Sequence, residues 1–456
     1  MVGSETIVQR KLSYRLLAIG GLGIVLLICL SAVQNLVYER QLRSEEVKQD
    51  IARNSAYQQK VSGPLLVIPY RRIIREVVPV DLVGTQTVER ISTGSFHILP
   101  DSLSIDGTLK NEVRARGIYR AHLYRAQTLI TGEFLVPPHL GVIHDLADYT
   151  FGQPVLSIGI SDIRGIESNL KLSFDQSEIA FLPGSGSPIL KDGAHAEVPV
   201  LDLDNEQRYS FEIPLNLQGT EQLRLMPVGK TTKVHLTSNW PHPSFIGEFL
   251  PVERNISQDG FEANWSTSFF ATDMQSLVDS CHDVTGCEEL DNREFGVSLV
   301  DPVDQYVQSE RSLKYGLLFI ALTFAAFFLF EILKSIAVHP VQYGFVGMAL
   351  VIFYLLLLSL SEHIGFAAAY ATSTSACVLL IGGYLRSVLK STGRAMGFSA
   401  GLASVYGVLF TVLNAEDFAL LLGSVLLFFV LGLAMVVSRR VDWFGIDKPS
   451  LAPIAS

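Results

Sequence analysis

Six stretches of the chain carry so little charge that water cannot solvate them, and their placement decides what the remainder can be. Residues 16–33 contain no charged side chain and, at about 1.5 Å per residue, can cross most of a hydrocarbon layer about 30 Å thick. Five more apolar runs follow a long polar interval, at about 315–333, 341–360, 364–388, 397–413 and 418–437. The 123 residues from 315 to 437 hold eight charged side chains, whereas 72 of the other 333 are charged, close to an ordinary soluble domain. One end of the chain is therefore solvated by lipid and the middle by water. The expected fold class is a membrane protein of six transmembrane α-helices, one N-terminal and five packed as a C-terminal bundle. A large, mostly β, sandwich-like domain is inserted after the first helix.

The expected divisions are a cytoplasmic N-terminus at 1–11, a first transmembrane helix at 12–37, a periplasmic β-rich domain at 38–313, the five-helix bundle at 314–437 and a cytoplasmic tail at 438–456. A cleaved signal peptide is the rival reading of the first run, with Arg10, Lys11 and Arg15 as its positive region. The apolar stretch exceeds the usual length of about 7 to 15 residues, however, and no A-x-A site follows it. Lys and Arg accumulate in short cytoplasmic loops. With the N-terminus inside, Arg10, Lys11 and Arg15, then Lys334, then Arg386, Lys390 and Arg394, then Arg439 and Arg440 all fall inside, while the short outer loops at 361–363 and 414–417 contain none. Both termini are expected in the cytoplasm of a bacterial inner membrane.

The water-soluble middle opens with helix formers that include Glu39 and Arg43 at i,i+4, so the first helix is expected to run on beyond the membrane. Beyond Gly63 apolar residues alternate: Leu103, Ile105 and Leu109; Leu170, Leu172 and Phe174; Phe211, Ile213, Leu215 and Leu217; Val234 and Leu236; Val297 and Leu299. Period 2 sets one row on a core and the next in water, the signature of a half-buried antiparallel strand. Turn residues punctuate the runs at Asp106-Gly107, Pro137-Pro138, Gly184-Ser185-Gly186, Asp192-Gly193 and Asp259-Gly260. This material exceeds one sandwich of about 100 residues, so either a very large sheet pair or two subdomains with a boundary near 185 is expected.

The net charge of −10 excludes nucleic-acid binding, which needs a basic face. Cys281 and Cys287 are the two cysteines outside the apolar runs, and an oxidising compartment makes a disulfide the expected pairing. A free dithiol and a Cys-His-Cys metal site with His282 are the alternatives, the latter without a fourth ligand at recognisable spacing. Gly229-Lys230-Thr231 lacks the first glycine of a phosphate loop, where Arg224 stands, and Gly184-Ser185-Gly186 is not a nucleophile elbow. No catalytic, cofactor-binding or metal site is expected. Trp240, His242 and Phe245 belong to a proline-stiffened turn that either packs on a core or contacts a periplasmic partner. Among polar groups beside the spans, Glu331 is expected near the cytoplasmic boundary within reach of Lys334. Gln342, with His339, flanks Pro340 as helix-start chemistry. Glu362 and His363 form an outer hairpin that is either an exposed turn or a proton- or cation-handling pair. Small residues at Gly365, Ala369, Ser373 and Cys377, and again at Gly397 and Gly401 with Ser399, Ala403 and Gly407, are expected to let helices approach closely. Internal repeats and broken helices, the marks of a transporter, are weak.

Several strings resemble the CreD family of bacterial inner-membrane proteins. They are Arg116-Gly117-Ile118-Tyr119; the run from Gly159 to Gly165, which reads GISDIRG; the run from Ser238 to Gly247, SNWPHPSFIG; Val341-Gln342-Tyr343; and the run from Phe353 to Phe366, FYLLLLSLSEHIGF. The similarity runs over nearly the whole chain. It implies a protein of cell-envelope integrity, controlled by a two-component system and connected with envelope stress, including the response to β-lactams. It implies no catalytic residues. The expected function is that of a non-enzymatic scaffold or binding protein, its partners the lipid bilayer and an envelope protein or glycan. A transporter or lipid-handling protein using the helix bundle is the alternative.

Overall fold

The computed structural model describes residues 2–79, 85–281, 287–299, 301, 304–334, 338–414 and 419–439. The chain forms two compact units, Met1–Ser44 with Val303–Ser456, and Glu45–Pro302 between them in sequence. The N-terminal helix Val2–Arg53 continues well past the apolar run, as its i,i+4 charge pattern requires.

Among the described residues, four helices are long and apolar enough to cross a membrane: Leu17–Arg53, Pro340–Ile364, Phe366–Val388 and Thr392–Leu413. Gln305–Lys314 and Gly316–Phe328, bent by 42° at their junction, make a fifth if the pair is one span. The expected sixth, 418–437, coincides with the helix Ala419–Ser438, several of whose side chains lie outside the described residues. Pro340–Ile364 starts where Pro supplies a preset φ, and it stops at Gly365, whose φ of 78° a residue with a Cβ rarely adopts. Of the two small-residue ridges, Ala369, Ser373 and Cys377 are buried as expected. The second holds only at Ser399, which lies against Gly382 of the neighbouring helix so closely that a Cβ on that glycine would overlap its hydroxyl; its glycines do not take part. A Cβ built on Gly397, Gly401 or Gly407 meets nothing within 4 Å among the described residues, and the buried face of that helix is Leu402, Tyr406, Leu409 and Leu413. Large side chains turn inward because they have more surface to pack than a glycine ridge does.

The second unit is two large sheets over a shared core. The nine-stranded sheet is organised on Gln59–Pro79, which pairs antiparallel with Thr85–Ile98 and Val155–Ile160 and parallel with Gln222–Leu225. The eight-stranded sheet runs in the order Glu253–Ser257, Gly260–Ser268, Thr231–Ser238, Ser102–Arg116, Tyr119–Val136, Gln207–Thr220, Lys171–Phe174, Ser177–Ala180. Its period-2 residues behave as alternation requires. Val234, Ile105, Ile130 and Ile213 stand opposite one another on successive strands, all buried.

One expectation about punctuation fails. Asp106 and Gly107 lie inside Ser102–Arg116, opposite Leu129 and Thr128, and not in a turn. Gly107 is there for space: a Cβ would fall 2.7 Å from Leu236 Cδ2 and 2.9 Å from Thr128 Cγ2. Of the two alternatives, the very large sheet pair is the one found, and the stretch near 185 falls within the single unit. His195, downstream of it, pairs with both Ser157 and Leu182, so strands from either side of the turn share one sheet.

The string GISDIRG ties the end of the long helix to the first sheet. Arg164 donates to the Arg53 carbonyl at 3.1 Å and to both carboxylate oxygens of Asp162, at 2.9 and 2.7 Å, while Asp162 also accepts from the Tyr57 amide at 3.0 Å. These bonds, the guanidinium first among them, hold the Asp162 carboxyl below the usual carboxylate range against the cost of its burial. A depressed folded-state pKa adds stability that is full above the unfolded value of about 3.9 and is lost as pH falls through the folded one. The thermal midpoint of the wild type should therefore fall more steeply with acidification below about pH 4 than that of Asp162→Asn. Parallel slopes would contradict the assignment.

Candidate functional site

The alternation that builds the core of the eight-stranded sheet leaves an unusual row on its other face. Lys233, Ser104, Thr131, Glu212 and Ser173 stand opposite one another on five successive strands. Two residues along, Thr231, Ser102, Glu133 and Ser210 form a parallel row. Hydroxyl side chains dominate both, and their small size leaves a groove of about 670 Å³. Gly132 lies between the rows on the core side, opposite Leu103 and Phe211.

The charged walls of the groove are mostly compensated. Asp101 lies 3.2 Å from Lys230 and 3.9 Å from Arg208, which also reaches Glu133 at 3.3 Å. Asp175 accepts from the Ser210 amide at 2.8 Å and from its hydroxyl at 3.1 Å. Among the described residues the side chains of Glu212 and Lys233 have no hydrogen-bond or ion-pair partner. Three strand steps of about 4.8 Å separate them, roughly 14 Å. The arrangement offers many groups that both donate and accept hydrogen bonds, with one free charge of each sign. Sequence reasoning singled out the apolar members of these strands and passed over the rest. The missed signal is serine and threonine, where charged residues usually stand, at the outward positions.

The residues singled out from sequence are dispersed. Trp240 is 9% exposed, its ring 4.6 Å from that of His122, and its Nε1–H donates to the His242 carbonyl at 2.8 Å. Phe245 is half-buried against Phe261 and Trp265, at ring distances of 5.8 and 5.6 Å, and His242 is exposed. That turn is thus fastened to the core by its aromatic rings. His122, which sequence reasoning missed, sits with Nε2 3.0 Å from Asp301 Oδ2 and Nδ1 3.4 Å from Asn111 Nδ2. The imidazole holds the Asp301 carboxyl below its ordinary range.

Cys281 and Cys287 are joined in a disulfide, their Cα atoms 5.2 Å apart, and both belong to the core. His282 and the rest of the loop at 282–286 lie outside the described residues, and among those described no group of three or more His, Cys, Asp or Glu is arranged to hold a metal. Closing so short a loop stabilises by about 2 kcal/mol through the unfolded chain. The double variant Cys281→Ser, Cys287→Ser should lose about that much in denaturant titration, and an unchanged midpoint would count against it.

In the first unit, Glu362 is half-buried in the last turn of the helix Pro340–Ile364 rather than an exposed turn residue, its side chain 8% accessible. It accepts from the Tyr306 hydroxyl at 3.2 Å and lies 3.8 Å from Arg40 Nε, whereas His363 beside it is exposed. Gln342 accepts from the His339 amide at 3.0 Å, and His339 Nδ1 from the Val341 amide at 3.3 Å, which caps the helix Pro340–Ile364. Glu331 is on the helix Gly316–Lys334, and its side chain and that of Lys334 lie outside the described residues.

The sequence model of the family described as "Inner membrane protein CreD" matches residues 11–444. The protein of that name from Escherichia coli (strain K12) is 35% identical over 443 residues, 97% of this chain and 96% of that protein. A match of this extent takes in both the apolar helices and the β unit, and the chain belongs to the CreD family of inner membrane proteins.

Proposed function

We propose that this is a six-span, non-enzymatic inner-membrane protein that maintains the cell envelope, with both termini in the cytoplasm and the β unit in the periplasm. The groove on the eight-stranded sheet is its contact with an envelope component, and the helices anchor it in lipid. The observation that carries this reading is the groove itself, a broad polar surface of hydroxyl side chains whose charged walls are mostly compensated. The run of positive residues supports the orientation. The disulfide supports export, because such bonds persist in oxidising compartments. Family resemblance supports a role in envelope stress, including the β-lactam response, under two-component control.

Two measurements test it. A periplasm-dependent reporter fused near residue 200 should be active, and activity of a cytosol-dependent one there would overturn the topology. Deleting the β unit should abolish complementation of a null strain for survival in detergent and β-lactam. Full complementation without it would refute the role. Burial of Glu362 favours a second reading, in which the bundle moves or handles a substrate. That reading requires Glu362→Gln to abolish activity at normal protein level.

A further inference from the structure

We infer that the groove takes an uncharged glycan chain lying across the strands, along the two hydroxyl rows. The inference rests on the envelope-binding reading above and adds the class of its ligand. Sugar hydroxyls both donate and accept, and so do Ser102, Ser104, Thr131, Ser173, Ser210 and Thr231, so a saccharide is matched at whatever angle it lies. The floor is made of the smallest hydroxyl side chains over Gly132, which brings a flat ring close to the sheet.

Charge selects against a polyanion. The lining carboxylates Asp101, Glu133, Asp175 and Glu212 face only Lys233 in the lining, with Arg208 and Lys230 beside it. A phosphate- or sulfate-rich chain would meet net negative potential. A peptide is disfavoured by the sheet itself. The groove crosses Thr231–Ser238, Ser102–Arg116, Tyr119–Val136 and Gln207–Thr220, each paired on both sides, so no backbone edge is open for an added strand. The outward row also presents no aromatic or aliphatic anchor for a helical partner. Glu212 and Lys233, whose side chains are unpaired three strands apart along the row, are left to receive polar groups of the chain, a carboxylate bridging adjacent hydroxyls and an ammonium donating to one.

The test uses the full-length chain in detergent micelles, titrated calorimetrically with chitotetraose, with heparin and with a neutral tetrapeptide. Chitotetraose should bind, and Ser104→Phe, which fills the floor from an exposed position, should weaken it at least about tenfold. The double variant Glu212→Ala, Lys233→Ala removes polar groups without adding bulk and should weaken it about as much, which covers the case in which the phenylalanine disturbs folding. Absence of chitotetraose binding, equal affinity in the variants, or preference for heparin or the peptide would overturn the inference. Co-sedimentation with purified sacculi separates the two levels. If sacculi are bound equally by wild type and variants, the groove assignment falls and the envelope-binding reading stands. If the wild type binds none, that reading falls as well.

Discussion

Gly132→Val is expected to destabilise the β unit by about 3 kcal/mol, at the upper end of overpacking costs, and to lower its melting temperature by roughly 6 to 12 °C. Gly132 faces the core from the middle of Tyr119–Val136, opposite Leu103 on one neighbour and Phe211 on the other. A Cβ there would overlap the Ser102 carbonyl and press on the Phe211 ring. The carbonyl belongs to the ladder and cannot rotate away, and Phe211 is itself held against Phe134 at a ring distance of 4.9 Å. Relief therefore requires the strands beneath the groove to move. Ser104→Ala, on the opposite face, should change stability by less than about 0.5 kcal/mol. Thermal denaturation followed by near-ultraviolet dichroism measures both, and a Gly132→Val protein as stable as the wild type would show that the central strands are not packed as described.

Glu362→Ala should cost about 2 kcal/mol in the helix bundle, because it strips a charge-assisted bond from the buried Tyr306 hydroxyl, while the pair with the half-exposed Arg40 adds little. Glu362→Gln keeps an acceptor for Tyr306 and should cost less than about 1 kcal/mol. The pair separates structure from transport. If the carboxylate fastens three helices together, the glutamine variant complements a null strain and the alanine variant is depleted from the membrane. A glutamine variant present at normal level but inactive would instead favour chemistry at the carboxylate. Steady-state level and complementation, read together, decide between these outcomes.

How much of this was legible in sequence depends on the distance over which each feature is determined. The apolar helices were visible because a charge-free run of 18 or more residues has one solvent that suits it, whatever surrounds it. The alternation of Phe211, Ile213, Leu215 and Leu217 was equally local, and all four are buried. Asp106-Gly107 misled because Asp-Gly is favoured in turns for backbone reasons, while the glycine here makes room for Leu236, whose place on the neighbouring strand no local pattern reveals. Gly397 and Gly401 misled for the converse reason: their spacing permits close approach, but packing was decided by Tyr406 and Leu402 on another face.

The candidate site was almost wholly illegible. Ser104, Thr131, Glu212 and Lys233 come from four strands and meet only through register. His122 and Asp301 are 179 residues apart, and Tyr306 and Glu362 are 56 apart. The chain by itself determined which segments are apolar enough to cross a membrane and which face of each strand meets a core, since each is an energy summed over neighbouring residues. Only the tertiary structure decided which rows stand side by side, because pairing between distant strands is selected by the packing of the whole core and leaves no trace in the spacing of any one segment.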